Sequence, residues 1–378
     1  MSIAIGPDTL RPPHHSALGF RNPDGTPRVP RRRNRLLKFL WRQGVIHANR
    51  PWLPPGHILP RAEVEAGMNR MRVQGADSLT WLGHAAFLLR MAGKTILIDP
   101  FLSDYASPVP GMGPRRFAPP ALTVDQLPPI DVLLVSHNHY DHLDARTIEA
   151  LPNKATIAVV VPLGLGRFFR QRGFVRVTEL DWHQGHNVAG PREHADWLRI
   201  TAVPAIHRSA RSFTDRNRTL WAGFILESAK GEGETLRVYF GGDTGYGAVF
   251  RDTGRRYGPF DLAILGIGCY APRAAMRMNH ADPEEAVQIA RDLGAERVMG
   301  MHWGTIAMTT EPPFEPPVRF RAAAAKAGYR PEDAWILAVG ETRALPMIEA
   351  ASRRDAKAGA HAARHDPGPA LWDLRNVG

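Results

Sequence analysis

Residues 136–143 read Ser136-His137-Asn138-His139-Tyr140-Asp141-His142-Leu143, three imidazoles and a carboxylate within six consecutive positions. They follow Asp131-Val132-Leu133-Leu134-Val135, an apolar run with the length and composition of a buried strand. The loop leaving such a strand is a common place for chemistry. Imidazole nitrogen and carboxylate oxygen both ligate zinc and similar cations, so this density of His and Asp points to a metal site. A solvated histidine cluster is the plainer alternative. The His-x-His-x-Asp-His spacing, in a chain of 378 residues with 16 His, argues for the metal.

One loop does not supply enough donors for two ions, and three further strand ends offer more. His207 follows the strand-like run from Leu198 to Val203, Asp243 follows Leu236-Arg237-Val238-Tyr239-Phe240 through Gly241 and Gly242, and His302 follows Arg297-Val298-Met299-Gly300-Met301. Alone, each reads as an ordinary hydrogen-bonded residue. Four strand ends carrying the same chemistry read as one sheet edge collecting ligands. The paired glycines either let the backbone approach closely around Asp243 or mark an ordinary turn. Asp99, after Thr95-Ile96-Leu97-Ile98, is either the acceptor for the second ring nitrogen of a metal-bound histidine or a turn residue before Pro100. His84, between Gly83 and Ala85, either approaches the site or is a satisfied structural histidine, the plainer of the two readings.

Several segments together carry a family resemblance: SHNHYDHLD at 136–144, GDTGY at 242–246, HWGT at 302–305, WLGHA at 81–85, Asp99-Pro100-Phe101, the stretch 204–223 with Arg211, Asp215, Asn217 and Trp221, and NHADPEEAV at 279–287. Over about residues 75–345, the sequence resembles the metallo-β-lactamase superfamily, and within it the branch of N-acyl-phosphatidylethanolamine-hydrolysing phospholipase D and its RomA-like bacterial relatives. The resemblance implies an α/β fold, a four-layer αββα sandwich. It implies two divalent ions, zinc being the expected metal, with His137, His139 and His207 on one, Asp141, His142 and His302 on the other, and Asp243 bridging. Asp141, Asp243 and His280 become the catalytic residues, with His280 contacting the scissile phosphoryl group; apart from the resemblance, Arg273 is a candidate to pair with a phosphate oxygen. The reaction implied is phosphodiester hydrolysis by a bridging hydroxide, with an N-acyl-phosphatidylethanolamine-type phospholipid as substrate. Two departures, Arg208 in place of the usual Trp and Ala274-Ala275 in place of a bulkier aromatic pattern, leave substrate identity open. A same-fold soluble lactonase or phosphate-ester hydrolase is the main alternative. A metal-dependent nuclease follows it, lacking a Lys/Gly-rich grasping arm or a large insertion between Asp243 and His302. A non-catalytic scaffold ranks last.

Composition fits one elaborated enzyme domain, with boundaries expected at 1–76 for an N-terminal extension, 77–348 for the hydrolase and 349–378 for a disordered tail. Lys and Arg number 48 against 37 Asp and Glu, a net charge of +11, which favours anionic partners. Cys269 is the single cysteine, so no intrachain disulfide forms and a reducing, cytoplasmic setting is expected, with the thiol serving as a small buried hydrophobe. No signal peptide is evident in residues 1–16, and the apolar stretch 155–166 is too short to span a bilayer. Leu36, Leu37, Leu40 and Trp41 recur at helical spacing among Arg31, Arg32, Arg33, Arg35, Lys38 and Arg42. That amphipathic arm either lies peripherally on an anionic membrane or docks its apolar stripe on the enzyme's own core. The expected partner is a phospholipid or similar amphiphilic phosphodiester, with no obligate nucleic acid; the oligomeric state stays open, a homodimer included. His361 and His365 in the tail are not expected to be ligands. Finally, Asp282-Pro283-Glu284-Glu285 predicts a helix start with Asp282 as N-cap, which leaves His280 just outside it.

Overall fold

The computed structural model describes residues 12–23, 26, 51–109, 111–190, 197–212, 214–229 and 235–345. The amphipathic arm and the tail with His361 and His365 lie outside the described residues. The chain runs through β1 (His15–Ser16), β2 (Gly19–Phe20), α1 (Arg61–Val73), β3 (Ser78–Gly83), β4 (Ala86–Met91), β5 (Lys94–Ile98), β6 (Val132–Leu134), α2 (Ala145–Ala150), β7 (Ala158–Pro162), α3 (Gly166–Arg170) and β8 (Arg176–Leu180). A second half follows with β9 (Gly185–Ala189), β10 (Leu198–Val203), β11 (Gly223–Ala229), β12 (Thr235–Phe240), α4 (Val249–Tyr257), β13 (Leu262–Gly266), α5 (Arg273–Met276), α6 (Pro283–Leu293), β14 (Val298–Met301), α7 (Glu315–Lys326) and β15 (Ala334–Trp335). Strand β16 (Thr342–Ala344) then returns to the first half.

Two seven-stranded sheets repeat one plan, ordered β16-β3-β4-β5-β6-β7-β8 and β15-β14-β13-β12-β11-β10-β9. In each, one side is antiparallel (β16 to β5, β9 to β12) and the other parallel (β5 to β8, β12 to β15). Strand alternation sets the layers. Ile96 and Ile98, Val132 and Leu134, and Val160 face the core between the sheets, while Leu97, Leu133, Val159 and Val161 face the outer cluster with Val64 of α1, Ile148 of α2 and Phe169 of α3. These central strands are apolar on both faces, so they read in sequence as unbroken hydrophobic runs. On the second sheet α6 packs on β13 and β14 and lies between α4 and α7. The predicted cap holds: Asp282 accepts from Glu285 N at 2.9 Å, within a capping box, and Pro283 opens α6.

The topology also explains why the polar residues meet. Within the first sheet β3, β5 and β6 share one direction, because two antiparallel steps restore it and a parallel step keeps it; β10, β12 and β14 do the same in the second. The residues leaving the C-terminal ends of these strands therefore emerge along one edge of each sheet, and contacts such as that of His137 with Asp243 bring the two edges together.

Candidate metal centre

Asp99, fully buried at φ +41°, organises the loop after β6. Its Oδ1 accepts from Ser136 N at 2.7 Å, and its Oδ2 accepts from Ser136 Oγ at 2.6 Å and from His142 Nδ1 at 2.7 Å. Ser136 Oγ has its proton on Asp99, so at 2.9 Å it accepts from His137 Nδ1. One carboxylate thus sets two tautomers: His137 and His142 both carry hydrogen on Nδ1 and turn Nε2 toward the site, the arrangement that prepares imidazoles as ligands. Arg211 pins the loop from outside, with Nη1 donating to Asn138 O at 2.8 Å and Leu143 O at 2.6 Å and its guanidinium 4.0 Å from the Tyr140 ring centre. Asp144 closes the loop by capping α2.

The other strand ends arrive by equally specific means. His207 donates Nδ1–H to Asn279 O at 2.8 Å, and its backbone N donates to Asn22 Oδ1 at 2.9 Å, so a segment preceding both sheets steadies this histidine. Gly242 has φ +56°, and a Cβ there would lie 2.9 Å from Ser136 Cβ; close approach, not an ordinary turn, is what glycine supplies before Asp243. His302, at φ +64°, donates its backbone N–H to His84 O.

All seven histidines and aspartates singled out from the four strand ends lie together. His137 Nε2 is 2.9 Å from His139 Nδ1, which is 3.2 Å from His207 Nε2, and Asp243 Oδ2 stands 3.7 Å from both His137 Nε2 and His207 Nε2. Asp243 also faces the other group, 3.2 Å from His142 Nε2 through Oδ2 and 3.2 Å from His302 Nε2 through Oδ1. Asp141 Oδ2 lies 3.6 Å from His142 Nε2 and 3.4 Å from His302 Nε2. Among the described residues, His142 Nε2, His302 Nε2 and Asp243 Oδ1 are buried without a hydrogen-bond partner. Polar atoms left this way are costly unless something between them is bound. Nitrogen and oxygen donors converging from several directions fit a pair of divalent cations.

The electrostatics agree. Burial, with His142, His139 and His207 close by, keeps His137 far below the ordinary imidazole range; burial pushes His139 down to about 3 and His207 well down. These rings are neutral, with lone pairs to give. Burial works against charge on Asp141 and Asp243 too, yet His142 and the neighbouring imidazoles outweigh it and hold both far below the usual carboxylate range. His142 alone is driven well above the imidazole range: Asp243, Asp141 and Asp99 overcome its burial. The two carboxylates demand positive charge at this spot, and without a metal a proton on His142 answers.

His280 sits at the edge of the cluster, its Nδ1 3.8 Å from Asp243 Oδ2 and its ring 5.3 Å from those of His207 and His302. Arg273 is directed at protein acceptors: Nη1 donates to His280 O at 2.7 Å, Nη2 to Glu285 Oε2 at 2.5 Å, and Nε lies 3.3 Å from Asp282 Oδ2. Two contributors were not legible as such. His84 places Nε2 2.9 Å from Asp141 Oδ2, and Asn22 reaches His207 from 185 residues away. Their signals were slight: His84 lies in the WLGHA segment at 81–85 that carries the resemblance, and Asn22 in Phe20-Arg21-Asn22-Pro23, where the agreement is weaker. A separate group, His14, His15 and Asp181, has nitrogen–oxygen separations of 2.6 and 2.8 Å and reads as a hydrogen-bonded anchor for the N-terminal segment. Cys269 is buried.

Comparison with known proteins adds the following. Residues 94–303 match a family described as the beta-lactamase superfamily domain. An uncharacterized protein of Mycobacterium tuberculosis is 37% identical over 318 residues, 82% of this chain and 80% of its own. The N-acyl-phosphatidylethanolamine-hydrolyzing phospholipase D 1 of Caenorhabditis elegans is 39% identical over 245 residues, 63% of this chain and 67% of its own. Among solved structures, a possible metal-dependent hydrolase from Veillonella parvula superposes with a TM-score of 0.56 at 18% identity, covering 71% of this chain and 100% of that one, a likeness of fold.

Proposed function

Because the chain belongs to the beta-lactamase superfamily and is a metal-dependent hydrolase, we propose that it cleaves a phosphodiester in an N-acyl-phosphatidylethanolamine-type phospholipid. Water's oxygen joins phosphorus, the bond from phosphorus to the head-group oxygen breaks, and that oxygen takes up a proton. The products are a phosphatidic acid and an N-acylethanolamine. The observation that carries the choice of substrate is the 39% identity to the nematode enzyme of that name. The observation that supports hydrolysis is the buried, unsatisfied set of donors around Asp243.

We assign His137, His139 and His207 to one cation, Asp141, His142 and His302 to the other, and Asp243 to both, with zinc as the metal. When bound, such a pair supplies a water acidified toward neutrality and a positive clamp for phosphoryl oxygens. Asp99 and Ser136 hold the rings of His137 and His142 ready. Burial pushes His280 down to about 4, so at neutral pH the ring is uncharged and offers one N–H to a phosphoryl oxygen. Arg273 donates to the His280 carbonyl and so holds that residue at the edge of the cluster. The excess of basic residues favours an anionic surface for the substrate. No helix among the described residues is long and apolar enough to cross a membrane, so this reading has the enzyme work on lipid from outside the bilayer.

The test is a hydrolysis panel with zinc-loaded protein: N-acyl-phosphatidylethanolamine in mixed micelles, bis-p-nitrophenyl phosphate, a lactone and RNA. Release of N-acylethanolamine from the lipid as the fastest reaction is expected. Faster lactone or soluble-ester hydrolysis with inert lipid overturns the substrate assignment, and salt-sensitive RNA cleavage with inert lipid turns it toward a nuclease.

A further inference from the structure

Resting on the two-cation reading above, we propose that His84 is a positioning residue of the half-site made by Asp141, His142 and His302, donating the hydrogen bond that fixes how Asp141 presents its carboxylate. Its Nε2 lies 2.9 Å from Asp141 Oδ2. A carboxylate only accepts, so Nε2 carries the hydrogen. The ring is 1% exposed and lies 3.9 Å, centre to centre, from that of His302.

The backbone of His84 is built to aim this ring. The residue sits at φ +56°, a left-handed conformation that non-glycine residues seldom adopt and that persists only when surroundings impose it. Here three hydrogen bonds impose it. Its N–H donates to Thr305 Oγ1 at 2.9 Å, and its carbonyl accepts from Trp81 Nε1 and from the backbone N–H of His302, each at 2.9 Å. The turn between β3 and β4 of the first sheet is thereby tied to the segment that delivers His302 from the second. His84 Nδ1, buried without a partner among the described residues, gains nothing from this orientation. The ring is oriented for Asp141, not for its own satisfaction.

Donor count favours positioning over ligation. Asp141, His142, His302 and Asp243 already offer four donors, the number a tetrahedral cation takes, and hydrolysis also needs room for water. His84 Nε2–H donates to Asp141 Oδ2, the same oxygen that lies 3.6 Å from His142 Nε2 and 3.4 Å from His302 Nε2, so the bond holds in place the oxygen that faces the half-site. Without it, the carboxylate is free to turn and the half-site loses its fixed geometry, while His137, His139 and His207 are untouched.

The experiment compares the full-length protein with His84→Asn and His84→Gln, each stripped of metal and titrated with zinc against a fluorescent chelator. Thermal unfolding of the metal-free forms is recorded alongside. Asn tolerates the left-handed backbone but its amide stops short of Asp141; Gln carries an amide N–H to the reach of Nε2. The expected result is that His84→Asn weakens the second zinc equivalent about 10–100-fold and leaves the first unchanged, and that His84→Gln restores most of the loss. Wild-type affinity for both equivalents in His84→Asn overturns the proposal. So does a proportional loss of both with a lower melting temperature, which marks a merely structural residue, or a Gln variant as weak as Asn. Zinc binding is read without lipid, so a protein that takes two equivalents but hydrolyses no phospholipid fails the substrate reading alone. A wild-type protein that takes fewer than two overturns both.

Discussion

Replacing Asp99 with Asn changes one oxygen to an NH2 group at constant shape, and the hydrogen-bond chain predicts disproportionate damage. Asp99 accepts three bonds, from Ser136 N, Ser136 Oγ and His142 Nδ1, inside a site with no solvent exposure. The remaining amide oxygen keeps the place of Oδ1, which accepts from the Ser136 backbone N–H at 2.7 Å. The new NH2 then faces the hydroxyl and the ring. Ser136 Oγ can accept from it only by turning its own hydrogen toward His137 Nδ1, which forces that ring's proton onto Nε2; His142 is forced the same way. Both nitrogens that must face a cation acquire hydrogen. A hydrogen bond to a charged group is worth about 1.5–3 kcal/mol, and outer-shell changes typically cost about 10–100-fold in metal affinity. Asp99→Asn is therefore expected to weaken both zinc equivalents by that factor in a chelator competition, unlike the one-sided loss expected for His84→Asn. Two equivalents bound as tightly as in the wild type would refute the tautomer chain.

Gly242→Ala combines a left-handed φ with a Cβ 2.9 Å from Ser136 Cβ. It should lose about 1–3 kcal/mol to backbone strain and a similar amount to overpacking, measured by denaturant unfolding of the metal-free protein. Metal binding should be pH-dependent with a definite sign. Because His142 is held protonated well above the imidazole range, a cation must displace that proton, so apparent zinc affinity rises with pH through the neutral region and binding releases a proton. Calorimetry in buffers of different ionisation enthalpy measures the release, and a buffer-independent enthalpy at pH 7 contradicts it. Arg273→Ala frees the His280 carbonyl and should lower kcat by up to about 100-fold with two zinc equivalents retained; His280→Ala should do the same. Loss of metal in step with activity in either variant assigns it to structure instead.

Much of the centre was legible because its parts are local. A buried strand announces itself as an apolar run, and the residue just past its end needs no tertiary information, so the placements of His137, His207, Asp243 and His302 could be read off the chain. The helix start at Asp282 was legible for the same reason: cap, proline and Glu285 lie within four residues. What escaped depends on distance or on competition. His84 and Asp141 are 57 residues apart, and Asn22 and His207 185, so neither pairing leaves a periodicity to detect. The partners of Arg273 were out of sight for the same reason: Glu285 and Asp282 meet it only once α6 is capped and packed. Asp99 was balanced between two readings until the fold brought His142 to 2.7 Å.

Anomalous diffraction from crystals of the zinc-loaded protein tests most directly whether side chains from four strand ends hold two cations. Data on either side of the zinc edge should show two peaks. One should lie among His137 Nε2, His139 Nδ1 and His207 Nε2, the other among Asp141, His142 Nε2 and His302 Nε2, with the Asp243 carboxylate between them. A single peak, or peaks away from Asp243, would contradict the two-cation reading.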